Sequence, residues 1–193
     1  MREVLRKYIS KYIDLPDEDF NRLVAKVEIR SFDKKQKLIS EGETENYLNF
    51  VEKGLVRKYF LKGREEKVTE IVNENHLINS MVSFISGLPS IYFIEAIEAT
   101  TVLSITNENL EELYISCLKL ERLTRLIISE SYILREKRDY DQMRLSVRER
   151  FVQFMQNNPD LLQRVPQKHL ASYLNIKPET FSRMKHLLRK KSS

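Results

Sequence analysis

Near the C-terminal end, three side chains able to read a nucleic acid stand within five positions. Glu179, Ser182 and Arg183 are spaced so that all three fall on one face of a helix. A carboxylate accepts from the amino group of cytosine, and a guanidinium forks onto O6 and N7 of guanine. A hydroxyl bonds either kind of group. Around them lie Lys168, His169, Lys177, Lys185 and Arg189, side chains suited to phosphate contact. Two of these readings stay open: Glu179 also suits the positive end of a helix as a plain carboxylate, and Lys185 and Arg189 also suit a solvated face.

The elements that must hold these residues are legible in the run from Val165 to Leu188. Leu170 and Leu174 share one face of a first short helix, and Phe181, Met184 and Leu188 share one face of a second. Ala171 lets two helix backbones approach, Ile176 occupies the turn, and Asn175 tolerates the positive φ that a tight turn requires. Pro178 suits a first helical turn, where its missing N–H is not needed. The pattern predicts a helix-turn-helix whose second helix enters the major groove of duplex DNA. The bland alternative is an amphipathic helical hairpin without that role. Charge favours the first: residues 146–193 hold ten Lys and Arg against three Asp and Glu, whereas the whole chain nets only +5.

Upstream, Leu5, Tyr8, Ile9 and Tyr12 recur at helical spacing, and Asp17–Asp19 opens a second short helix. From Val27 to Thr106 the texture becomes short β-branched runs between turn residues. Strands are expected at 27–32, 36–40, 47–53, 55–61, 66–72, 91–98 and 100–106, with a short helix from Ile78 to Ser86. Such spacing suggests a small sandwich or barrel. Asn107 starts a helical region running to about Tyr140. Its apolar stripe of Leu120, Leu123, Ile127 and Leu134 is the expected dimer interface, with Leu126 and Ile133 beside it; the alternative is a helix packed only on its own barrel. Ser146 and Glu149 form a capping-box pattern at the start of a further helix. The expected organisation is α+β: a sensor-type β-roll with N-terminal helices over 1–106, a dimerisation helix over 107–145, and a DNA-binding domain over 146–193.

Other classes find little support. Metal sites need grouped ligands, and the histidines His76, His169 and His186 are scattered, so no metal and no cofactor are expected. With four glycines there is no phosphate-cradling loop and no nucleophile elbow, and no enzyme is expected. One cysteine, Cys117, cannot close an internal disulfide or hold a four-thiolate cluster. With a charged N-terminus and no long apolar run, the expected compartment is the cytoplasm, without membrane contact. The rival from another class is a ligand-responsive sensor whose basic end docks a protein partner.

At this point the chain resembles the cyclic-AMP receptor protein/Fnr (Crp/Fnr) family over nearly its whole length. The stretches Leu38–Glu43 and Leu48–Arg57 are similar to early strands of that family's β-roll, and Ser83–Ser90 with Ile94–Ala99 to the region closing its effector pocket. Arg164–Leu174 with Pro178–Arg183 is similar to the recognition segment of the Fnr-like branch. The resemblance implies a cyclic-nucleotide-binding-type β-roll (jelly roll), a long dimerisation helix and a winged helix-turn-helix. It also implies a homodimer on an inverted-repeat operator, with double-stranded DNA and RNA polymerase as partners. Where nucleotide-binding members carry a Gly-Glu pair and an arginine, this chain reads Leu77-Ile-Asn-Ser-Met81 and Ser90-Ile-Tyr-Phe93. A buried cyclic phosphate needs a charged donor, and none is visible in these stretches, so the effector is unknown and not expected to be cyclic AMP.

Overall fold

The computed structural model describes residues 1–185 of the chain, and among them eight short strands lie between turn signals. Leu188, Arg189 and the wing expected after the second helix of the C-terminal pair lie outside the described residues. Two helices come first, α1 (Arg2–Ile9) and α2 (Asp17–Ala25). The strands follow: β1 (Glu28–Phe32), β2 (Lys37–Ile39), β3 (Tyr47–Lys53), β4 (Val56–Lys62), β5 (Glu65–Val72) and β6 (Leu77–Ile78). Helix α3 (Met81–Ser86) separates these from β7 (Phe93–Ala96) and β8 (Thr100–Thr106). The remainder of the described chain is helical: α4 (Asn107–Ser116), α5 (Leu118–Arg144), α6 (Val147–Asn157), α7 (Leu161–Arg164), α8 (Gln167–Tyr173) and α9 (Pro178–Met184).

The strands form two four-stranded sheets, ordered β1-β8-β3-β6 and β2-β7-β4-β5. Paired strands run antiparallel, with Asn49 opposite Ser104 and Lys58 opposite Ile94. This order is that of an eight-stranded jelly roll. Period-two alternation gives each sheet an inner face, so Val51, Val56, Ile94 and Val102 pack together with Phe32, Ile39 and Ile78 between the sheets. Their neighbours in sequence, Phe50 and Leu103, point the other way and join Leu5, Tyr8, Phe20, Leu110, Leu120 and Leu123 in a second cluster beneath the helices. Gly54 makes the β3–β4 turn at φ +102°, and a Cβ there would stand 2.5 Å from Thr100 Oγ1 and 2.7 Å from the Ala99 carbonyl. Only glycine fits.

Three features depart from expectation. Strand β6 has two residues, too few to show a period, and is held by pairing with β3. The helical region after Thr106 breaks at Cys117, whose extended φ/ψ of −150°/96° ends α4 while its side chain is buried in the helical cluster. Helix α7 is a single turn and carries no periodic signature. The caps do follow the sequence: Ser146 and Glu149 make the reciprocal capping box of α6.

The chain divides into two compact units, residues 1–60 with 71–130, and residues 61–70 with 131 onward. The first holds the roll, the N-terminal helices and the start of α5. The second holds the C-terminal part of α5, helices α6–α9, and the tip of the β4–β5 hairpin.

Candidate functional site

Helices α8 and α9 are joined by a turn whose backbone follows from the residue types. Asn175 takes φ +55°, and the Ile176 amide returns to the Ala171 carbonyl at 3.0 Å. Pro178 sits in the first turn of α9, and no side chain caps that helix. Leu170, Ala171 and Phe181 have no exposed surface, and Phe181 meets Phe151 of α6 edge-on with centroids 5.2 Å apart. Burying one face of α9 so completely fixes its rotation about its own axis. The opposite face must then be solvent-facing, and Glu179, Ser182 and Arg183 are all exposed there.

Of the expected phosphate contacts, Lys168 and Lys177 are exposed and Lys185 is half-buried. His169 requires correction. It is buried at 8% exposure, and its Nδ1 lies 4.0 Å from the Glu66 carboxylate. A ring turned toward the hairpin does not reach a backbone phosphate on the open side.

The expected dimer stripe is also redistributed. Leu120 and Leu123 are 2% and 5% exposed inside the chain's own helical cluster, and Ile127 packs against that cluster. Their apolar surface is already used. Leu134 is exposed, together with Ile128, Tyr132, Ile133, Tyr140 and Met143. Leu126, Ile133 and Tyr140 recur every seven residues, the repeat with which one helix faces another.

Inside the roll lies a second set of polar groups, and sequence reasoning missed its charged members. Lys58 alternates onto the same face of β4 as Val56, so it points between the sheets, and its Nζ donates to the Asn79 carbonyl at 3.3 Å. Lys58, Glu45, Asn79, Ser80, Ser83 and Ser90 are all buried. Glu45 accepts from the amides of Tyr47 and Ser80, while Ser83 accepts from the Glu45 amide. Ser90 Oγ donates to Ser80 Oγ at 2.9 Å, closing the stretch 80–90 onto itself. Burial pushes the Glu45 carboxyl above its ordinary range; the two amide bonds and the charges of Arg30 and Lys58 pull it back. On the outer face of β4, Arg57 is paired with Glu95 at 2.9 Å. Two open clefts of about 310 Å³ and 430 Å³ flank the first unit, one lined by Phe32 and Thr100, the other by Arg30 and Tyr47. The second is also lined by Glu45 of the polar set, while neither is lined by Lys58, Ser80 or Ser90.

Among the described residues no His, Cys, Asp and Glu side chains group as metal ligands, and no helix is long and apolar enough to cross a membrane.

Residues 29–117 match the cyclic nucleotide-binding domain family. Among solved structures the chain is similar to the c-di-GMP-responsive global regulator CLP of Xanthomonas campestris, at 16% identity and a TM-score of 0.70, over 92% of this chain and 93% of that one. It is similar to the catabolite activator protein of Thermus thermophilus at 18% identity and a TM-score of 0.58, over 94% and 87%. FixK2 of Bradyrhizobium japonicum aligns at 19% identity and a TM-score of 0.74, over 86% of each chain. No curated protein sequence matches the chain. At these identities the likeness is one of fold: an α+β chain with a β-roll of cyclic-nucleotide-binding type followed by helices.

Proposed function

We propose that this chain is a sequence-specific DNA-binding transcription regulator of the Crp/Fnr type, acting as a homodimer on an inverted-repeat operator. The observation that carries the reading is the α8–α9 pair. Its buried face of Leu170, Ala171 and Phe181 leaves Glu179, Ser182 and Arg183 exposed together, with Lys168 and Lys177 nearby. These features support a helix-turn-helix reading, in which α8 would cross the phosphate backbone and α9 would enter the major groove. Arg183 suits guanine and Glu179 suits cytosine, while the lysines bring affinity that falls with salt. Two solved structures that share the fold along most of this chain are by name a regulator and an activator.

In this reading α5 supplies the dimer contact through Ile133, Leu134, Tyr140 and Met143, exposed apolar residues of its C-terminal part. Two-fold symmetry of the dimer then implies two half-sites about 34 Å apart, and RNA polymerase is the further partner. In this reading the effector of the roll is unknown and is not cyclic AMP. A nucleotide in the roll's interior would have to displace the Ser80–Ser90 pair and the Lys58–Asn79 bond.

The test is recovery of duplex fragments from sheared genomic DNA on the purified protein, followed by sequencing. The reading requires a shared inverted repeat with a G·C pair in each half-site, and retention without any shared sequence overturns it.

A further inference from the structure

The tip of the β4–β5 hairpin belongs to the same compact unit as the C-terminal helices, and one hydroxyl joins them. Ser172 Oγ accepts from the Val68 amide at 3.0 Å and donates to the Glu66 carbonyl at 2.9 Å. A carbonyl and the amide two residues on lie on the same side of a strand, so a single side chain takes both places that a neighbouring strand would otherwise fill. Strand β5 ends its sheet, and an open edge of this kind is ordinarily blunted or covered. Serine inside a helix commonly bonds back to its own helix. Here it bonds the strand instead.

A second connection lies alongside. Arg138, on α5, donates to the Thr69 carbonyl at 2.6 Å, and its guanidinium stacks on the ring of Tyr173, 4.3 Å from the centroid. Tyr173 in turn packs against Phe154 of α6. Burial raises the Tyr173 hydroxyl pKa, as expected of a ring enclosed by these elements. Helix α8, the hairpin tip and the C-terminal part of α5 are thereby tied through neighbouring residues, Ser172 and Tyr173. The exposed face of α9 takes no part, since Glu179, Ser182 and Arg183 make none of these bonds.

We infer that the hairpin tip is a clasp, closed by Ser172 on the edge of β5, that sets the orientation of the α8–α9 pair on helix α5. The inference rests on the proposed DNA reading for its consequence. In a dimer joined through α5, a fixed α8–α9 orientation fixes the separation of the two reading helices. The clasp is therefore a specificity element for half-site spacing, remote from the bases. It also meets in advance the ordering that docking on two half-sites demands.

Three proteins test it: wild type, Ser172→Ala, which removes both bonds, and Ser172→Thr, which keeps the hydroxyl. The first readout is hydrogen exchange at the Val68 amide, which needs no DNA. The alanine variant is expected to lose about tenfold to a hundredfold of protection there, the effect of two net hydrogen bonds, while amides within α8 stay protected. The second readout is binding to the inverted repeat selected by wild type, re-spaced by one or two base pairs either way. Wild type and the threonine variant are expected to fall off steeply with re-spacing. The alanine variant is expected to bind the best site about tenfold more weakly and to discriminate less between spacings. Unchanged Val68 exchange in the alanine variant overturns the clasp. Faster exchange with an unchanged spacing profile overturns its role in specificity. If wild type selects no repeat, the DNA reading fails and takes the spacing role with it, while the exchange result alone still decides whether the clasp exists.

Discussion

Placing aspartate at two positions on α5 separates its two apolar faces. Ile133 is 63% exposed in the single chain. Full burial of such a side chain stabilises by about 1.5–3 kcal/mol, so the two copies meeting in the proposed dimer would contribute about 2–4 kcal/mol at this position. Ile133→Asp forfeits that and sets two like charges in a dry seam, at a cost of several kcal/mol more. A total of about 5 kcal/mol raises the dimer dissociation constant by more than a thousandfold, because each 1.4 kcal/mol is tenfold. The monomer should remain folded, since the residue touches solvent there. Leu123, at 5% exposure among Leu5, Tyr8 and Leu120, should behave oppositely. Leu123→Asp buries an unpaired charge in the chain's own core, and several kcal/mol is a large part of the roughly 5–15 kcal/mol that holds a domain together. Sedimentation equilibrium and urea unfolding on both variants are the assays. A Leu123→Asp protein that is folded but monomeric, or an Ile133→Asp protein that dimerises as tightly as wild type, would refute this assignment of faces.

Two further outcomes follow from the roll. Calorimetric titration with cyclic AMP and with cyclic GMP should show no binding at micromolar ligand, because Lys58, Ser80 and Ser90 are already engaged; a micromolar dissociation constant for either contradicts this. Glu45 carries a carboxyl whose pKa burial raises on folding, so its protonated form is favoured in the native state. Its contribution is present at low pH and is lost as pH rises from the unfolded toward the folded value. Glu45→Gln lacks this dependence. Urea unfolding at about pH 4 and about pH 7 should therefore show the variant gaining on wild type at the higher pH, and a drift the other way rejects the assignment.

Periodicity carried most of the fold. Strands β1, β3 and β8 follow from alternation, and the α8–α9 pair from Leu170, Phe181, Asn175 and Pro178, because each local preference agrees with the others there. Short elements were not legible: two residues of β6 show no period, and a single turn of α7 shows no face. A stripe at helical spacing does not say what covers it. Leu120 and Leu123 therefore looked like an interface and are core, whereas Ile133 and Tyr140, seven apart, face outward. Lys58 sits in the run Val56-Arg-Lys-Tyr59, where alternation from Val56 points it inward although its charge favours the surface, so the two local signals conflict. His169 and Ser172 depend on a hairpin about a hundred residues upstream, and no local pattern on α8 announces that contact.

The claim that α9 reads DNA is tested most directly by selecting bound duplexes from a random pool with wild type and with Arg183→Ala at one fixed salt concentration. Wild type is expected to select an inverted repeat with a guanine in each half-site. The alanine variant is expected to lose preference at that guanine at a cost of about 1–3 kcal/mol per half-site, with preferences elsewhere retained. No repeat from wild type, or the same guanine preference from both proteins, would contradict it.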